Sequence, residues 1–125
     1  MPITRITVQE GRSPDELRQL LAILHQTLVD KFDVPESDRF QVVDIKPAEQ
    51  LHYDPHYLTG KRSTRFTLFE ITAGKPRTSE QKKSLYCTLT QRLVDTLNMR
   101  CDDVMIMIRF TAMEDWCFGL GKGLD

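Results

Sequence analysis

The sequence lacks an excess of either charge. Its 17 basic and 18 acidic residues leave a formal net charge of −1, whereas proteins that bind nucleic acid or anionic membranes usually carry a basic surplus. Long hydrophobic runs are also missing: no window approaches the roughly eighteen apolar residues of a membrane-spanning helix, and the start has no signal-peptide pattern. We therefore expect a cytoplasmic protein that binds neither nucleic acid nor membrane.

Cysteine is scarce and shows no pairing pattern. Cys87, Cys101 and Cys117 are odd in number and widely spaced, without a CxxC motif, which is typical of free thiols in a reducing compartment. None has a histidine at an informative spacing, so we expect three small buried side chains rather than catalytic thiols.

Metal ligands are equally sparse. His52 and His56 stand four residues apart, but Pro55 between them disfavours a shared helical face, and a third and fourth ligand are missing. The sequence therefore predicts no metal site. The histidines belong to a polar and aromatic stretch over 46–64, whose length marks it as functional or as an arm to another subunit. We interpret them as part of a pocket rim or a subunit contact.

What the sequence does contain is a strand–helix–strand pattern that occurs twice. Alternating apolar residues predict strands, and leucines at three- and four-residue spacing predict helices. Ser13 and Glu16 form a capping-box start for the first helix, and Thr78 with Gln81 gives the same signature for the second. The last strand is apolar at every position and is expected to be covered on both faces. The predicted strands cover 3–9, 39–45, 66–72 and 104–108, and the helices run from 14 to about 32 and from 79 to about 97.

The two halves are related by an internal repeat of 65 residues without gaps. Helical leucines would match by chance at this shift. Arg12 and Arg77 lie in turns, as do Asp38 and Asp103, and these pairs match as well. We infer two related βαβ units. Their bounds, within a single domain over 1–125, are about 2–45 and 66–109.

The repeat predicts how the strands are arranged. Each right-handed βαβ unit makes its own two strands parallel. Two such units commonly pair about a local two-fold axis, which sets the first and third strands antiparallel and side by side. The predicted fold is α+β, a four-stranded mixed sheet with both helices on one face. The other face is left bare and must be covered, so we expect oligomerisation whatever the function.

This topology gathers chemically useful residues at one end of the sheet. The start of the first strand lies beside the end of the third, and the start of the second strand and the exit of the fourth lie at the same end. One amine, one carboxylate, two cations and two aromatic rings are expected to converge there: Pro2, Asp38, Lys75, Arg77, Trp116 and Phe118.

Pro2 has a free, reactive amine only if Met1 is removed, as methionine usually is before a small second residue. The mature chain then begins with a secondary amine, which titrates near neutrality and suits a general base or acid. Taken alone, Pro2 is better explained as the first residue of a strand, where its missing N–H costs nothing. The catalytic interpretation depends on the groups predicted to surround it.

Short segments spread over nearly the whole chain carry a family resemblance. They are Met1-Pro2, Gly11-Arg12-Ser13, Val34-Pro35, Asp38-Arg39-Phe40-Gln41, Lys75-Pro76-Arg77, Ser79-Glu80-Gln81-Lys82 and Asp115-Trp116-Cys117-Phe118-Gly119. Together they resemble the tautomerase superfamily, and within it most of all malonate semialdehyde decarboxylase and its relatives. The resemblance implies two βαβ units, a homotrimer, no cofactor, and catalysis by an amino-terminal proline.

The same likeness implies roles for individual residues. Pro2 carries over as the catalytic amine, Asp38 as its partner, and Arg77 as the cation that binds the substrate's carboxylate. One position departs from the family pattern: the decarboxylase has an Arg-Pro-Arg run, and this chain begins that run with Lys75, which cannot make the bidentate fork of a guanidinium. Anion binding is still expected, while decarboxylase specificity is not secured. The resemblance also implies that two aromatic residues, Trp116 and Phe118, form the wall of the substrate pocket.

Two functions remain open on the sequence. The first is cofactor-free proton transfer, decarboxylation or hydration of a small oxo or enol carboxylate such as malonate semialdehyde. The second is a non-catalytic oligomeric binding protein of the same fold, with Met1 retained and the amine of Pro2 blocked. The state of the amino terminus distinguishes them.

Overall fold

The computed structural model describes residues 1–124 and confirms the predicted order of elements. Each predicted strand and helix is present, with boundaries that move by two residues or fewer at nearly every end. The strands are β1 (Pro2–Gln9), β2 (Gln41–Lys46), β3 (Thr67–Ala73) and β4 (Val104–Phe110), and the helices are α1 (Pro14–Phe32) and α2 (Ser79–Leu97). Short 3-10 turns occupy Ala48–Gln50, Cys101–Asp103 and Met113–Asp115.

The four strands form one mixed sheet in the order β2-β1-β3-β4. Strands β1 and β2 are parallel, as are β3 and β4, whereas the central pair β1 and β3 is antiparallel. In that central pair Pro2 lies opposite Ala73. The start of β1 therefore lies beside the end of β3, as the two-fold arrangement of the units predicts.

Both helices begin and end in equivalent ways, 65 residues apart. Ser13 caps α1 by accepting a hydrogen bond from the backbone N–H of Glu16, and Thr78 caps α2 within a reciprocal capping box with Gln81. Each helix ends at a left-handed residue, Asp33 with φ 53° and Asn98 with φ 54°. Short polar side chains tolerate this conformation better than most non-glycine residues.

The capping box predicted for α1 is only half present. The Glu16 carboxylate does not turn back to the cap but pairs with Arg12, 3.1 Å from its Nε, and with Arg65. Arg65 in turn donates to the carbonyl of Leu97 at the end of α2. A cation from the preceding turn and one from a distant loop therefore take this carboxylate in place of the local cap.

The core lies between the two helices and one face of the sheet. The leucine stripes of α1 and α2 pack against the inward residues of β1 and β3, and these positions are fully or almost fully buried, which is the main stabilising contribution to a domain of this size. The inward residues include Ile6, Val8, Phe69 and Ile71 from the strands and Leu20, Leu24, Leu28, Leu85, Leu89 and Leu93 from the helices.

The prediction that β4 is covered on both faces is wrong for the single chain. Met105 and Met107 are 46% and 41% exposed on the face turned away from the helices. Across this outer face run two ion pairs, between Arg5 and Asp44 and between Glu70 and Arg109. Nothing among residues 1–124 packs over it, so the bare sheet face expected from the topology is present.

The cysteine prediction is also wrong, because Cys87, Cys101 and Cys117 are all exposed. They lie on the outer side of α2, in a 3-10 turn and in the C-terminal segment, where no core surrounds them. Among residues 1–124, no helix is long and apolar enough to cross a membrane.

Candidate active site

A tight turn delivers Asp38 to the start of β1. The segment after α1 closes when the Asp38 N–H donates to the carbonyl of Pro35 at 3.0 Å. Just beyond it, the N–H of Thr4 donates to the carbonyl of Phe40 at 3.0 Å, which extends the ladder between β1 and β2 to the first residues of both strands. Asp38 and Phe40 are therefore fixed against the amino-terminal end of the chain.

The amino terminus and Asp38 form an ion pair. The ammonium nitrogen of Met1 lies 2.7 Å from Oδ2 of Asp38, with both side chains mostly buried. The second oxygen, Oδ1, is buried and has no hydrogen-bond partner among the described residues. The nitrogen of Pro2 is three covalent bonds from that of Met1, about 3 Å away. A carboxylate with one unsatisfied oxygen therefore lies next to the place where a free proline amine would be.

Gly74 allows Met1 and Trp116 to approach the end of β3. Its N–H donates to the carbonyl of Met1 at 3.0 Å. A Cβ at this position would lie 2.7 Å from Cε of Met1 and 2.9 Å from Nε1 of Trp116, distances that real Cβ atoms do not tolerate. The indole is fixed by donating from Nε1 to Oγ1 of Thr111 at 2.5 Å. The absent side chain of Gly74 is thus what lets Met1 and the indole occupy this site.

Three aromatic rings form a row beside the amino terminus. Trp116 stacks on Phe118 with ring centroids 5.5 Å apart and an interplanar angle of 13°. Phe118 in turn contacts Phe40 at 5.5 Å in a tilted arrangement. Phe118 and Phe40 remain 45% and 47% exposed. Aromatic rings that are half open to solvent next to an ion pair form a suitable wall for a small organic substrate.

Lys75 and Arg77 lie at the same end of the sheet, beside a cavity of about 140 Å³ at the end of α1. Arg77 is partly buried and donates to the carbonyls of Lys75 at 2.5 Å and Phe32 at 2.6 Å. Its guanidinium also lies over the Phe32 ring, 5.0 Å from the centroid. Burial lowers the pKa of Arg77 and Asp33 opposes this, but a guanidinium is so strong a base that it keeps its charge at neutral pH.

The structure therefore brings together most of the predicted group. The amino terminus with Pro2, Asp38, Trp116 and Phe118 lies in one continuous set of contacts. Lys75 and Arg77 follow directly after Gly74 but face a neighbouring cavity whose lining includes neither Pro2 nor Asp38. Lys75 is exposed. Among residues 1–124, no cluster of three or more His, Cys, Asp or Glu side chains is placed to hold a metal ion.

Three members of the site were not singled out from the sequence: Phe40, Gly74 and Thr111. Phe40 follows Asp38 by two residues, and that spacing at the start of a strand is the one signal that pointed to it. Gly74 looks like an ordinary turn glycine until Trp116 folds back onto it. Thr111 acts through a hydrogen bond that depends on the 3-10 turn after β4, where the N–H of Trp116 donates to the carbonyl of Met113 at 3.2 Å.

The sequence of the chain is similar to those of known proteins. Two models of a family described as tautomerase enzyme match it, over residues 38–119 and 2–59. It is 37% identical to the probable tautomerase YusQ of Bacillus subtilis (strain 168), covering 98% of this chain and 96% of the relative. It is 32% identical to the probable tautomerase YrdN of the same organism, covering 98% and 94%.

Solved structures agree with the sequence relatives. The chain superposes on malonate semialdehyde decarboxylase, solved in wild-type, mutant and inactivated forms, with a TM-score of 0.90 and 29% identity over 96% of this chain and 92% of the other. FG41 malonate semialdehyde decarboxylase inhibited by 3-bromopropiolate gives a TM-score of 0.89 and 27% identity over 96% and 91%. A fused 4-OT symmetric trimer matches in fold, with a TM-score of 0.77 and 20% identity over 98% and 94%.

The two βαβ units in one mixed sheet have the same fold as these solved structures. The chain belongs to the tautomerase superfamily, with relatives that include malonate semialdehyde decarboxylase.

Proposed function

We propose that this chain is an enzyme that uses the secondary amine of Pro2, freed by removal of Met1, to act on a small oxo or enol carboxylate without a cofactor. The observation that carries the proposal is the carboxylate of Asp38, which pairs with the terminal amine through Oδ2 and leaves Oδ1 buried and unsatisfied. A buried acceptor without a partner is costly, and a proline ammonium or a bound water would supply the missing donor.

In tautomerisation, the neutral Pro2 amine removes a proton from the carbon next to the substrate's carbonyl, and the C–H electron pair becomes the C=C bond of the enolate. The resulting ammonium gives the proton to the enolate oxygen, which completes the enol. In decarboxylation, the ammonium form is the active one. The bond between the carboxylate and the adjacent carbon breaks, its electron pair enters the enolate as carbon dioxide leaves, and Pro2 protonates the carbon. In hydration, Asp38 orients the attacking water.

Lys75 and Arg77 are the cations assigned to the substrate's carboxylate. Both stand in the turn that follows Gly74, and Gly74 is bonded to Met1. Two of the Arg77 donors are committed to carbonyl groups, which fixes the guanidinium, while the exposed amine of Lys75 is free to turn toward the pocket. Trp116 and Phe118 form the wall that holds the carbon skeleton of a substrate with few atoms.

Self-association as a homotrimer is part of the same proposal. The outer sheet face carries Met105 and Met107, which residues 1–124 leave 46% and 41% exposed, and a fused 4-OT of the same fold is a symmetric trimer. The half-exposed rings of Phe40 and Phe118 would gain further cover from a neighbouring copy. We also propose a cytoplasmic location, consistent with three free thiols.

A second candidate is favoured by one observation. Met1 itself fills the site: its amine pairs with Asp38 and its Cε lies close to Gly74. A protein that retained Met1 would be a non-catalytic oligomer with a blocked proline. This function requires the amino terminus to stay unprocessed in the native host.

The experiment that tests the proposal is a panel of small 2-oxo and 3-oxo acids followed by ultraviolet absorbance and NMR. Protein lacking Met1 is compared with its Pro2→Ala variant, which keeps a primary amine but loses the secondary one. We expect turnover of at least one acid, reduced roughly a hundredfold or more in the variant. Equal rates for both proteins would remove Pro2 from the mechanism.

A further inference from the structure

A second pocket lies at the opposite end of the sheet from Pro2. Between β2 and β3 the chain forms a long loop, residues 47–66, which folds over the end where β1 leaves the sheet and β3 enters it. Two adjoining cavities, of about 670 and 320 Å³, lie against this loop. They share five lining residues: Leu51, His52, Tyr53, Asp54 and Arg62.

The internal repeat relates this pocket to the site around Pro2. Counting 65 residues along the chain, Leu51 and Tyr53 correspond to Trp116 and Phe118. Three other lining residues also have counterparts there, since Met105 corresponds to Phe40, Gln9 to Gly74 and Phe66 to Met1. Within the second pocket, Tyr53 stacks on Phe66 at 4.5 Å with an interplanar angle of 20°.

The groups that would support catalysis are absent or committed in this second pocket. Thr67 stands where Pro2 stands in the first unit, and its backbone nitrogen is inside the chain. Asp103, the counterpart of Asp38, is 1% exposed. Both of its oxygens are used, because it accepts hydrogen bonds from the N–H and the hydroxyl of Ser63, each at 2.6 Å. The second pocket therefore lacks the reacting groups of the first site.

The second pocket contains a cation, Arg62, whose hydrogen-bond donors are only partly occupied. Arg62 lines both cavities and lies over the Phe66 ring, 5.9 Å from its centroid. One nitrogen donates to the carbonyl of Asp54 at 2.7 Å, while its Nε is buried with no acceptor among the described residues. No carboxylate of residues 1–124 comes within ion-pairing distance of Arg62.

The two carboxylates near Arg62 are occupied elsewhere. Asp54 accepts from the backbone N–H groups of His56 and Tyr57, both at 2.8 Å, and these bonds lower its pKa. Asp102 accepts from the N–H of Gly60 at 2.8 Å and from Arg100 at 3.0 Å. Neither carboxylate pairs with Arg62, so the guanidinium that lines both cavities is open to an anion that enters them.

We propose that this second pocket is a non-catalytic binding site for a flat, apolar monocarboxylate, aromatic or unsaturated. The carboxylate takes the free donors of Arg62, a charge-assisted interaction in a partly desolvated place, and the planar body packs beside Tyr53 and Phe66. The site does not depend on the amine of Pro2, so it exists whether or not Met1 is removed and whether or not the chain catalyses a reaction.

The test is a titration of the uniformly ¹⁵N-labelled full-length chain with sodium benzoate at constant ionic strength, followed by amide chemical shifts. Benzoate is expected to move amides within 51–66, and benzamide, which has the same shape without the charge, is expected to bind more weakly. Arg62→Gln should weaken benzoate binding by at least about tenfold. Arg62→Lys, which keeps the charge but lacks Nε–H, should lie between. Lys61→Gln removes an exposed neighbouring cation that lines neither cavity and should change nothing.

Three results would overturn the proposal. Shifts confined to the end of the sheet that carries Trp116 would assign benzoate to the first site alone. Equal weakening by Arg62→Gln and Lys61→Gln would reduce the effect to general electrostatics. An absence of shifts within 51–66 across the millimolar range would show that the pocket takes no such ligand. If Arg62→Gln disturbs the fold, visible as shifts beyond the loop before benzoate is added, Arg62→Lys decides the outcome.

Discussion

Asp38 is the residue on which the proposed chemistry most depends. Its turn holds it beside the amino terminus, and one of its oxygens has no hydrogen-bond partner within residues 1–124. An adjacent carboxylate stabilises the charged form of an amine, whereas Lys75 and Arg77 favour the neutral form. In the proposed mechanism, the balance between these groups sets which protonation state of Pro2 is populated and therefore which reaction is favoured.

Replacing Asp38 by Asn should lower the apparent pKa of the Pro2 ammonium, because the anion that stabilises it is gone. The neutral amine then persists to lower pH, so the acid limb of a tautomerisation profile moves to lower pH. The ammonium needed for decarboxylation becomes scarcer at neutral pH. We expect decarboxylation or hydration to fall roughly a hundredfold and tautomerisation to fall by about tenfold or less.

The measurement is a pH–rate profile for each reaction, made on protein without Met1. Ser37→Ala, a change at the neighbouring exposed turn position, is the matched control and should reproduce the wild-type profile. If the Asp38→Asn profiles overlay the wild type in every reaction, Asp38 is only a turn residue at the start of a strand.

At the scale of elements, the two βαβ units are equivalent in detail. Helices α1 and α2 each span 19 residues, begin at capped positions and end at left-handed residues, at a constant separation of 65. Leu24 and Leu89 correspond to each other and are both fully buried in the same core. Their surroundings are therefore similar, and replacing either leucine by alanine should lower the free energy of unfolding by a similar amount.

Leu24→Ala and Leu89→Ala should each reduce the free energy of unfolding by about 2–5 kcal/mol, and by amounts that agree with each other within about 1 kcal/mol. Leu58→Ala, at a position 85% exposed, should change it by about 0.5 kcal/mol or less. Chemical denaturation at one fixed protein concentration measures all three, since self-association would otherwise shift the midpoints. A large cost at one leucine only would mean that the two units contribute unequally to the core.

The elements were predictable because their signals are local. Leucine spacing, the caps at Ser13 and Thr78 and the alternation in the strands each specify a short piece of chain, and the repeat then fixed the strand order. Glu16 was misassigned because Arg65 reaches it only after folding, and with the nearby Arg12 it draws the carboxylate away from the cap. Gly74 and Thr111 were missed for the same reason, since their roles exist only once Trp116 has returned to the sheet.

At the scale of the whole molecule, the proposed trimer depends on the outer face of the sheet. The apolar run of β4 predicted cover on both faces, but a run of apolar residues does not say whether the cover comes from the same chain or from another. Met105 and Met107 are left open by the single chain. The cysteines were expected to be buried and are exposed. Residue type gives an average tendency to be buried and does not give the surroundings of one position.

Met107→Glu should convert the proposed trimer to smaller species, because it places a charge without a partner in an apolar contact between copies. Sedimentation velocity at matched concentrations measures this directly. Lys83→Glu, a charge change at an exposed position of α2, is the control and should leave the trimer intact. A wild-type chain that sediments as a monomer would contradict the assembly whatever the variants do.

The most direct test of the whole account is to measure turnover and the state of the amino terminus on the same samples. Preparations with different extents of Met1 removal are characterised by intact mass, and each is assayed with an oxo acid that the processed protein converts. If Pro2 is the catalytic amine, kcat per chain should rise in proportion to the fraction of molecules that begin at Pro2 and extrapolate to zero for fully retained Met1. Turnover that is independent of that fraction, or complete retention of Met1 in protein from the native host, would contradict catalysis by Pro2.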